Sequence, residues 1–340
     1  MKLSTLLFVP VFFSACFAHS QQLDPAFDEF SEIYQQELGS TKSCHWPEKA
    51  IFRVCSDALK NEGNGPYILH HGHVTDKVVV LFHGLSDSPF FFKSIAEALY
   101  QQGNNVVVAL LPGHGKKEAD ADMRDPRLAK RWSRHVAEVM GFSQRLGQQK
   151  YIGGFSTGGA LATQYILRDP GQVKGLMLFS GALALASSVE NMAGIWGMKW
   201  LANILDEDYA AIGPNPYKYP HIASFSAFQL MDIIFDVRER LEKKQGIDVP
   251  IFAAHSLADT TTKYAGIEHL MGQNKGGNSL FKIPADIHVC HADVVISQQQ
   301  LLDMHYDSAG VSEPGACDIP MANPQHPQMV AATLKFLEGH

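Results

Sequence analysis

The chain has 340 residues, of which 46% are apolar and 19% are charged, as in an ordinary globular protein with a sizeable core. A net charge of −7 gives no reason to expect binding to nucleic acid. The sixteen histidines are scattered without H-E-x-x-H spacing, and the five cysteines show no C-x-x-C spacing, so no metal site is predicted.

The N-terminus is typical of a secretion signal. Met1-Lys2 supplies a positive region, and residues 3–15 are nearly all apolar, a run too short for a stable membrane span. Two cleavage sites fit: Phe13-Ser-Ala-Cys16 resembles a bacterial lipoprotein box that leaves an acylated Cys16, and Cys16-Phe-Ala18 suits cleavage after Ala18. We expect a signal segment at residues 1–18 and export from a bacterial cytoplasm, to the periplasm or with membrane attachment to the cell envelope through acylated Cys16.

The four cysteines that follow this segment are expected to form disulfide bonds, because their number is even and the protein is expected to be exported. Proximity in the sequence favours Cys44–Cys55 and Cys290–Cys317.

Residues 21–66 are predicted to form an N-terminal lead-in to the main domain. Asp24-Pro25 suits the start of a helix. Apolar residues then follow at helical spacing, namely Phe27, Phe30, Ile33, Tyr34 and Leu38. Residues 41–66 are expected to be rich in loops and held by the first cysteine pair.

Strand and helix patterns alternate over residues 67–340. Strands are predicted at 67–71, 77–82, 105–110, 150–155, 173–179, 249–254 and 280–283, the last continuing to Ile287. Helices are predicted at 89–102, 126–146, 160–168, around 267–271 and at 329–337. This alternation predicts an α/β fold with a mainly parallel central sheet and helices on both faces.

Two insertions interrupt the alternation. Residues 182–249 separate two strands where about a dozen residues suffice for a crossover. The segment is expected to be either extra helical packing or a helical cap at about 185–247, and its position favours the cap. Its apolar residues, which would then face the pocket, are Trp196, Trp200, Leu201, Phe228, Met231, Ile234 and Phe235. The second insertion, roughly 292–323, is polar and carries Cys317.

The candidate nucleophile is Ser156. A short apolar strand runs into Gly154-Phe-Ser156-Thr-Gly158, and a helix of small residues follows. This is the G-x-S-x-G pattern in a strand–turn–helix setting, in which glycines permit close packing and the serine stands on a strained turn. The N-terminus of the helix behind it suits developing negative charge.

An oxyanion site and an acid are also predicted. The strand before His83-Gly84 suggests that the backbone N–H groups of Leu85 and Thr157 stabilise an oxyanion, although a simple turn is the alternative. Asp259 lies just past the carboxyl end of a strand, at the edge where parallel sheets bind and react. The base has three candidates after the last predicted strand, each in the required order of serine, aspartate, histidine: His288, His291 and His326.

Four segments together resemble the α/β-hydrolase superfamily over about residues 67–339: His83-Gly84-Leu85, Leu111-Pro-Gly-His-Gly115, Gly154-Phe-Ser156-Thr-Gly158 and Leu257-Ala-Asp259. The chain is most similar to carboxylesterase, monoacylglycerol lipase and lysophospholipase-like members, often grouped with "serine aminopeptidase" domains. The resemblance implies a Ser–Asp–His triad, a helical cap and no cofactor. The insertion after the last strand and the cysteine-bearing lead-in depart from the family and leave the base and the pocket rim open.

His291 is the preferred base. In enzymes that the chain resembles, about thirty residues separate the acid from the base. His291 lies 32 residues after Asp259, whereas His326 lies 67 residues after it, at the entrance of the closing helix. A Cys290–Cys317 bond would also hold the His291 loop in place. His326 is the alternative base.

These features predict a serine hydrolase that cleaves small-molecule carboxylic esters or lipids, such as lysophospholipid or monoacylglycerol. An aminopeptidase or a lactonase on the same fold is the enzymatic alternative, and Asp206-Glu207-Asp208 is a possible site for a substrate amine, although such runs are usually solvated. A binding protein that has lost catalysis is the alternative from another class.

Overall fold

The computed structural model describes residues 23–44, 50–195, 197–206, 209–243, 246–311, 315 and 317–340. The signal segment expected at residues 1–18, with Cys16, lies outside the described residues, and so does Trp196. Among the described helices, none is both long and apolar enough to cross a membrane.

A nine-stranded sheet forms the centre of the described part of the chain. Its strands are β1 (Lys42–Ser43), β2 (Ile51–Cys55), β3 (Tyr67–Leu69), β4 (Thr75–Phe82), β5 (Asn105–Ala109), β6 (Gly147–Phe155), β7 (Gly175–Phe179), β8 (Ile251–Ser256) and β9 (Asn278–Ile283). The spatial order is β1-β2-β3-β5-β4-β6-β7-β8-β9. The β4–β5 pair and all pairs from β4 to β9 are parallel, and β1, β2 and β3 add an antiparallel edge. The predicted mainly parallel sheet is therefore confirmed.

Helices cover both faces of this sheet. They are α1 (Asp24–Ile33), α2 (Gln35–Leu38), α3 (Lys93–Gln101), α4 (Asp120–Met123), α5 (Leu128–Phe142), α6 (Thr157–Arg168), α7 (Ser187–Ala193), α8 (Met198–Leu205), α9 (Ser224–Glu242), α10 (Tyr264–Gln273), α11 (Gln298–Asp303) and α12 (His326–Glu338). Alternate residues of β4 enter two different cores: Val78 and Val80 pack in one, Val79 and Leu81 in the other. Burial on both faces explains why residues 78–82 of β4 are continuously apolar rather than alternating.

The lead-in contains more structure than the sequence predicted. Residues 41–66 were expected to be loops, but they contribute β1 and β2 to the sheet edge. Phe52 and Val54 of β2 are buried, and this apolar alternation gives the segment an inward face to pack. Phe52 stacks on Phe27 of α1, with ring centroids 4.6 Å apart.

Two disulfide bonds cross-link the described part of the chain, and both predicted pairings are confirmed. Cys44 is bonded to Cys55, which ties the residue after β1 to the end of β2. Cys290 is bonded to Cys317, which ties the segment after β9 to the second insertion.

The first insertion forms α7, α8 and α9 between β7 and β8. Helix α9 packs on the helical layer of the main domain, where its Asp236 accepts hydrogen bonds from Gln164 (2.7 Å) and Arg168 (2.8 Å) of α6. The loop between α8 and α9 approaches the sheet edge instead: the Tyr219 N–H donates to the Ser86 carbonyl over 2.8 Å.

A helical cap over the serine would require the apolar residues of this insertion to face the pocket. Only some of those that the structure describes are buried. Three of them, Phe228, Met231 and Ile234, are buried in α9. By contrast Trp200 of α8 is 68% exposed, and Leu201 and Phe235 are also exposed. Packing of α9 on α5 and α6 buries only one side of the insertion, so the remaining apolar residues meet solvent.

The last strand is shorter than predicted. Strand β9 ends at Ile283 rather than at Ile287, because Pro284 follows and cannot donate to a neighbouring strand. A 3₁₀ helix, Ala285–Ile287, takes the place of the expected strand extension and turns the chain towards Cys290.

We expect Gly158→Ala to lower the free energy of unfolding by about 3 kcal/mol or more. A Cβ at Gly158 would lie 1.8 Å from the carbonyl oxygen of Phe82, and this backbone atom cannot move without displacing β4. Urea unfolding followed by circular dichroism measures the change. The matched control is Gly141→Ala in α5, where a Cβ meets nothing within 4 Å. It should leave stability unchanged or raise it by up to about 1 kcal/mol; equal stability of the two variants would contradict the packing argument.

Candidate active site

The site is built where four neighbouring parallel strands end. Phe82 of β4 is paired with Gly154 of β6, Phe155 of β6 with Phe179 of β7, and Phe179 with Ala254 of β8. The loops that follow these strands therefore leave the sheet side by side at one edge. Ser156, the segment after Phe82 and Asp259 all lie in such loops.

Ser156 stands on a strained turn between β6 and α6. Its φ of 52° and ψ of −116° are unfavourable for a residue with a side chain. The turn is held because the Ser156 N–H donates to the Phe179 carbonyl (3.1 Å), and the Ser156 carbonyl accepts from the Ala182 N–H (2.9 Å). Gly154 is required beneath it, since a Cβ there would lie 2.2 Å from the carbonyl carbon of Gly158.

The structure brings Ser156, His291 and Asp259 into one chain of hydrogen bonds. His291 Nε2 lies 2.8 Å from Ser156 Oγ, and His291 Nδ1 lies 2.6 Å from Asp259 Oδ2. The ring of Phe155 packs beside the imidazole, with centroids 4.9 Å apart. With Nδ1–H donating to the carboxylate, Nε2 is free to accept a proton from the serine hydroxyl.

Asp259 is held as a carboxylate by four donors. Its Oδ1 accepts from the backbone N–H groups of Thr261 (2.8 Å) and Thr262 (2.9 Å). Its Oδ2 accepts from the Thr262 hydroxyl (2.8 Å) and from His291. Burial opposes ionisation, but the charge and hydrogen bond of His291, together with Thr262, outweigh it and hold the pKa of Asp259 at about 2.

Thr262 is a site residue that the sequence reasoning missed. It lies three residues after Asp259, is fully buried, and gives that carboxylate both a backbone N–H and a hydroxyl. The only signal in the sequence is a hydroxyl residue three positions after the acid, which is too common a pattern to single out.

The segment that carries His291 is supported from several sides. The Ser256 hydroxyl donates to the Val289 carbonyl over 2.6 Å, just before His291. On the other side, Asn323 donates from its side chain to the Val294 carbonyl (2.9 Å) and from its backbone to the Ile296 carbonyl (2.9 Å). With the Cys290–Cys317 bond, these contacts fix the short 3₁₀ helix that begins at His291.

The other two candidate bases lie elsewhere. His288 is exposed and has a left-handed backbone, with φ of 54°. His326 begins α12, where its Nε2 lies 3.0 Å from the Ser94 hydroxyl of α3. Burial lowers the pKa of His326 to about 4, so it serves as a neutral packing residue between two helices.

The two predicted oxyanion donors lie in segments that follow neighbouring strands, β4 and β6. Thr157 is the first residue of α6, so its backbone N–H has no partner within the helix. Leu85 lies in the loop after β4, the strand next to β6. His83 shapes this loop, because its Nδ1 donates to the Gly84 carbonyl (2.8 Å) while its Nε2 accepts from the Leu111 N–H (3.0 Å). Burial, and then the nearby His114, lower the pKa of His83 well below its usual range, so the ring stays neutral.

A cleft of about 630 Å³ lies beside the site, between the loop that precedes α9 and the second insertion. Its lining includes Phe91, Lys218 and Asp293. Asp293 lies two residues after His291 in the sequence. Lys218 forms an ion pair with the buried Asp87 over 2.8 Å. Burial raises the pKa of Asp293 to about 6, although its side chain accepts a hydrogen bond from the Met321 N–H (3.0 Å).

Known structures share this fold over most of the chain. A structure of the metagenome-derived lipolytic enzymes LipS and LipT superposes with a TM-score of 0.60 at 17% identity, covering 82% of this chain and 98% of that one. The monoacylglycerol lipase of Paleococcus ferrophilus superposes with a TM-score of 0.55 at 17% identity, covering 78% and 96%. The chain therefore has the fold of these lipolytic enzymes, the α/β-hydrolase fold.

Sequence comparison agrees with this assignment. The profile of the family described as serine aminopeptidase, S33, matches residues 73–224 of this chain. The thermostable monoacylglycerol lipase of Bacillus sp. (strain H-257) is 23% identical over 181 residues, which cover 53% of this chain and 70% of that relative. The matched segment of the family includes Ser156 and the loop after β4.

We expect Thr262→Val to lower kcat/KM for ester hydrolysis by about 10-fold or more, because a hydrogen bond to a charged group is lost while the volume is kept. Thr262→Ser keeps the hydroxyl and should retain most of the activity. Steady-state kinetics of both variants measure the effect. Thr261→Val is the matched control, since Thr261 contributes only its backbone N–H to Asp259. Equal rates for Thr262→Val and Thr262→Ser would contradict a role for the hydroxyl.

Proposed function

We propose that the protein is a serine hydrolase that cleaves carboxylic esters. The observation that carries this proposal is the position of His291, whose two ring nitrogens lie within hydrogen-bond distance of Ser156 Oγ and Asp259 Oδ2. A histidine placed in this way can take the serine proton and keep its own orientation. This arrangement also weighs against a binding protein that has lost catalysis.

In the proposed reaction, Ser156 Oγ attacks the ester carbonyl while His291 Nε2 accepts its proton. The carbonyl oxygen becomes an oxyanion, which the N–H groups of Leu85 and Thr157 stabilise. Collapse of this intermediate breaks the ester bond; His291 protonates the leaving alcohol, and an acyl-enzyme remains. Water then attacks the acyl-enzyme with His291 again as the base, and the acid is released. Asp259 stays ionised throughout and stabilises the imidazolium, and no cofactor takes part.

Esters, rather than amides, are supported by the relatives. The Bacillus protein and the Paleococcus structure are both named monoacylglycerol lipases, and the metagenome-derived enzymes are described as lipolytic. The family description names an aminopeptidase, so amide cleavage is the second candidate. We propose a lipid-like acyl ester, such as monoacylglycerol or lysophospholipid, as the substrate.

The cleft beside His291 suits the leaving alcohol. Ala292 and Asp293 place it next to the residue that would protonate this group. Its polar groups, Lys218 and Asp293, can hydrogen-bond to hydroxyls, as a glycerol-type alcohol would require.

Ser156→Ala should lower ester hydrolysis by about 10⁴-fold or more without loss of fold, as removal of a triad member does in general. His291→Ala should have a comparable effect, whereas His326→Ala should keep acylation. The measurements are rates on monoacylglycerol, lysophospholipid and aminoacyl amides, and mass spectrometry after fluorophosphonate treatment, which should locate the adduct on Ser156.

His326→Ala serves as the matched histidine control, with all variants compared at equal helical content. Loss of acylation in His326→Ala alone would show that the base is His326. Turnover of aminoacyl amides faster than of any ester would reject the ester proposal in favour of the aminopeptidase.

We further propose that the protein is exported and attached to the cell envelope through an acylated Cys16, as the lipoprotein-like Phe13-Ser-Ala-Cys16 supports. In bacteria fed labelled palmitate, the wild-type protein should carry the label in the membrane fraction. Cys16→Ser should lose it. Labelling that persists in Cys16→Ser would reject the lipid anchor, and an unlabelled wild-type protein in the periplasm would favour cleavage after Ala18.

A further inference from the structure

A second cavity, of about 720 Å³, lies away from the active site at the antiparallel edge of the sheet. One wall is a pair of neighbouring strands, in which Arg53 of β2 lies opposite Tyr67 of β3 and Ile51 lies opposite Leu69. The other wall is formed by α3 and the turn before it. The residues that this wall contributes are Phe90, Lys93, Glu97, Ala98, Tyr100 and Gln101. None of the three residues at the candidate active site lines this groove.

Among the residues that the structure describes, Arg53 is a cation in this groove without a carboxylate partner. Its Nη1 donates hydrogen bonds to the backbone carbonyls of Glu62 (3.2 Å) and Gly65 (2.9 Å). Across the described ranges no carboxylate oxygen lies within 4.0 Å of a guanidinium nitrogen of Arg53. The guanidinium carbon lies 4.7 Å from the centre of the Tyr67 ring. Burial lowers the pKa of Arg53, and the opposing effects of Tyr67 and Glu62 offset this only in part. Arg53 is half-buried, and a partly desolvated cation gains from an anionic partner.

Tyr67, directly opposite Arg53, adds a second unsatisfied group. The residue is 3% exposed, and its hydroxyl is buried without a hydrogen-bond partner in the part of the chain that the structure describes. A buried hydroxyl without a hydrogen bond is destabilising, because it has lost its water partner without gaining another. The half-buried guanidinium and this unsatisfied hydroxyl therefore line the same groove.

The rest of the groove is largely apolar and limits the charge of an occupant. Ile51, Leu69, Phe90 and Tyr100 provide apolar and aromatic surface. Lys93 is already paired with Asp303 over 2.5 Å. Glu97 lies on the α3 wall and disfavours a second negative group there. The groove thus suits a molecule with one anionic end and an apolar body.

We propose that this groove binds an amphiphilic carboxylate, such as a medium-chain fatty acid, with its carboxylate on Arg53 and its apolar chain along Ile51 and Leu69. The planar guanidinium offers two parallel donors that match a carboxylate, and its Nε and Nη2 are not engaged elsewhere among the described residues. The volume lies within the range of small-molecule sites in proteins. The site is separate from ester hydrolysis and does not depend on it.

Binding of octanoate to the protein with Ser156 blocked by a fluorophosphonate tests the proposal, because the active site can then no longer respond. Isothermal titration calorimetry should detect octanoate binding to the blocked protein. Octan-1-ol, which lacks the charge, should bind at least about 10-fold more weakly. Arg53→Met should weaken octanoate binding by a similar factor. The matched control is Arg134→Met on α5, where the arginine is exposed and pairs with Glu138, and it should bind as the wild type does.

A second variant keeps Arg53 and fills the groove. Ala98→Trp on the α3 wall should abolish octanoate binding while leaving the hydrogen bonds of Arg53 intact. If Arg53→Met fails to fold, Ala98→Trp tests by itself whether octanoate binds in this groove. Equal affinity for octanoate and octan-1-ol would overturn the proposal. So would unchanged binding in Ala98→Trp, or binding that disappears when Ser156 is blocked, since the carboxylate would then occupy the active site.

Discussion

The close approach of α6 to the end of β4 is the constraint on which the site depends. The backbone of Gly158 lies so near the Phe82 carbonyl that no side chain fits between them. This contact brings the first turn of α6 under the serine and forces the positive φ of Ser156. The strain is tolerated because backbone hydrogen bonds to β7 and to the segment after it hold the turn from both sides. The same contact therefore fixes both the position of α6 against the sheet and the backbone conformation of Ser156.

Charge at the site is organised around the buried Asp259 carboxylate. A buried charge is stable only when hydrogen bonds replace the water it has lost, and here three protein groups from Thr261 and Thr262 do so besides His291. The acid is thus fixed before substrate arrives. His291 is fixed independently, by the disulfide at Cys290 and by contacts of the second insertion. The second insertion therefore supports the imidazole.

One short turn links the two cavities. The 3₁₀ helix Pro89–Phe92 follows the loop that carries Leu85, and its neighbouring rings point to different sides: Phe90 lines the groove with Arg53, and Phe91 lines the cleft next to His291. The two rings lie 5.9 Å apart and nearly perpendicular. Phe90 also stacks on Tyr217, from the loop that precedes α9. Because both rings are buried, the walls of both cavities share this rigid turn.

Features that depend on neighbouring residues were determined by the sequence alone. The apolar runs and their turn residues were sufficient to predict the parallel sheet, and nearness in the sequence was sufficient to predict both disulfide pairs. The same reasoning placed Ser156 and Asp259 at strand ends, where the structure has them. Contacts between distant segments were decided only by the tertiary structure. Packing that a local pattern does not encode places His291 rather than His326 beside Ser156, and puts the Thr262 hydroxyl on Asp259. It also leaves Arg53 without a carboxylate partner among the described residues. The end of β9 at Pro284 and the exposure of Trp200 have the same origin, since each depends on which surface a neighbouring element leaves uncovered.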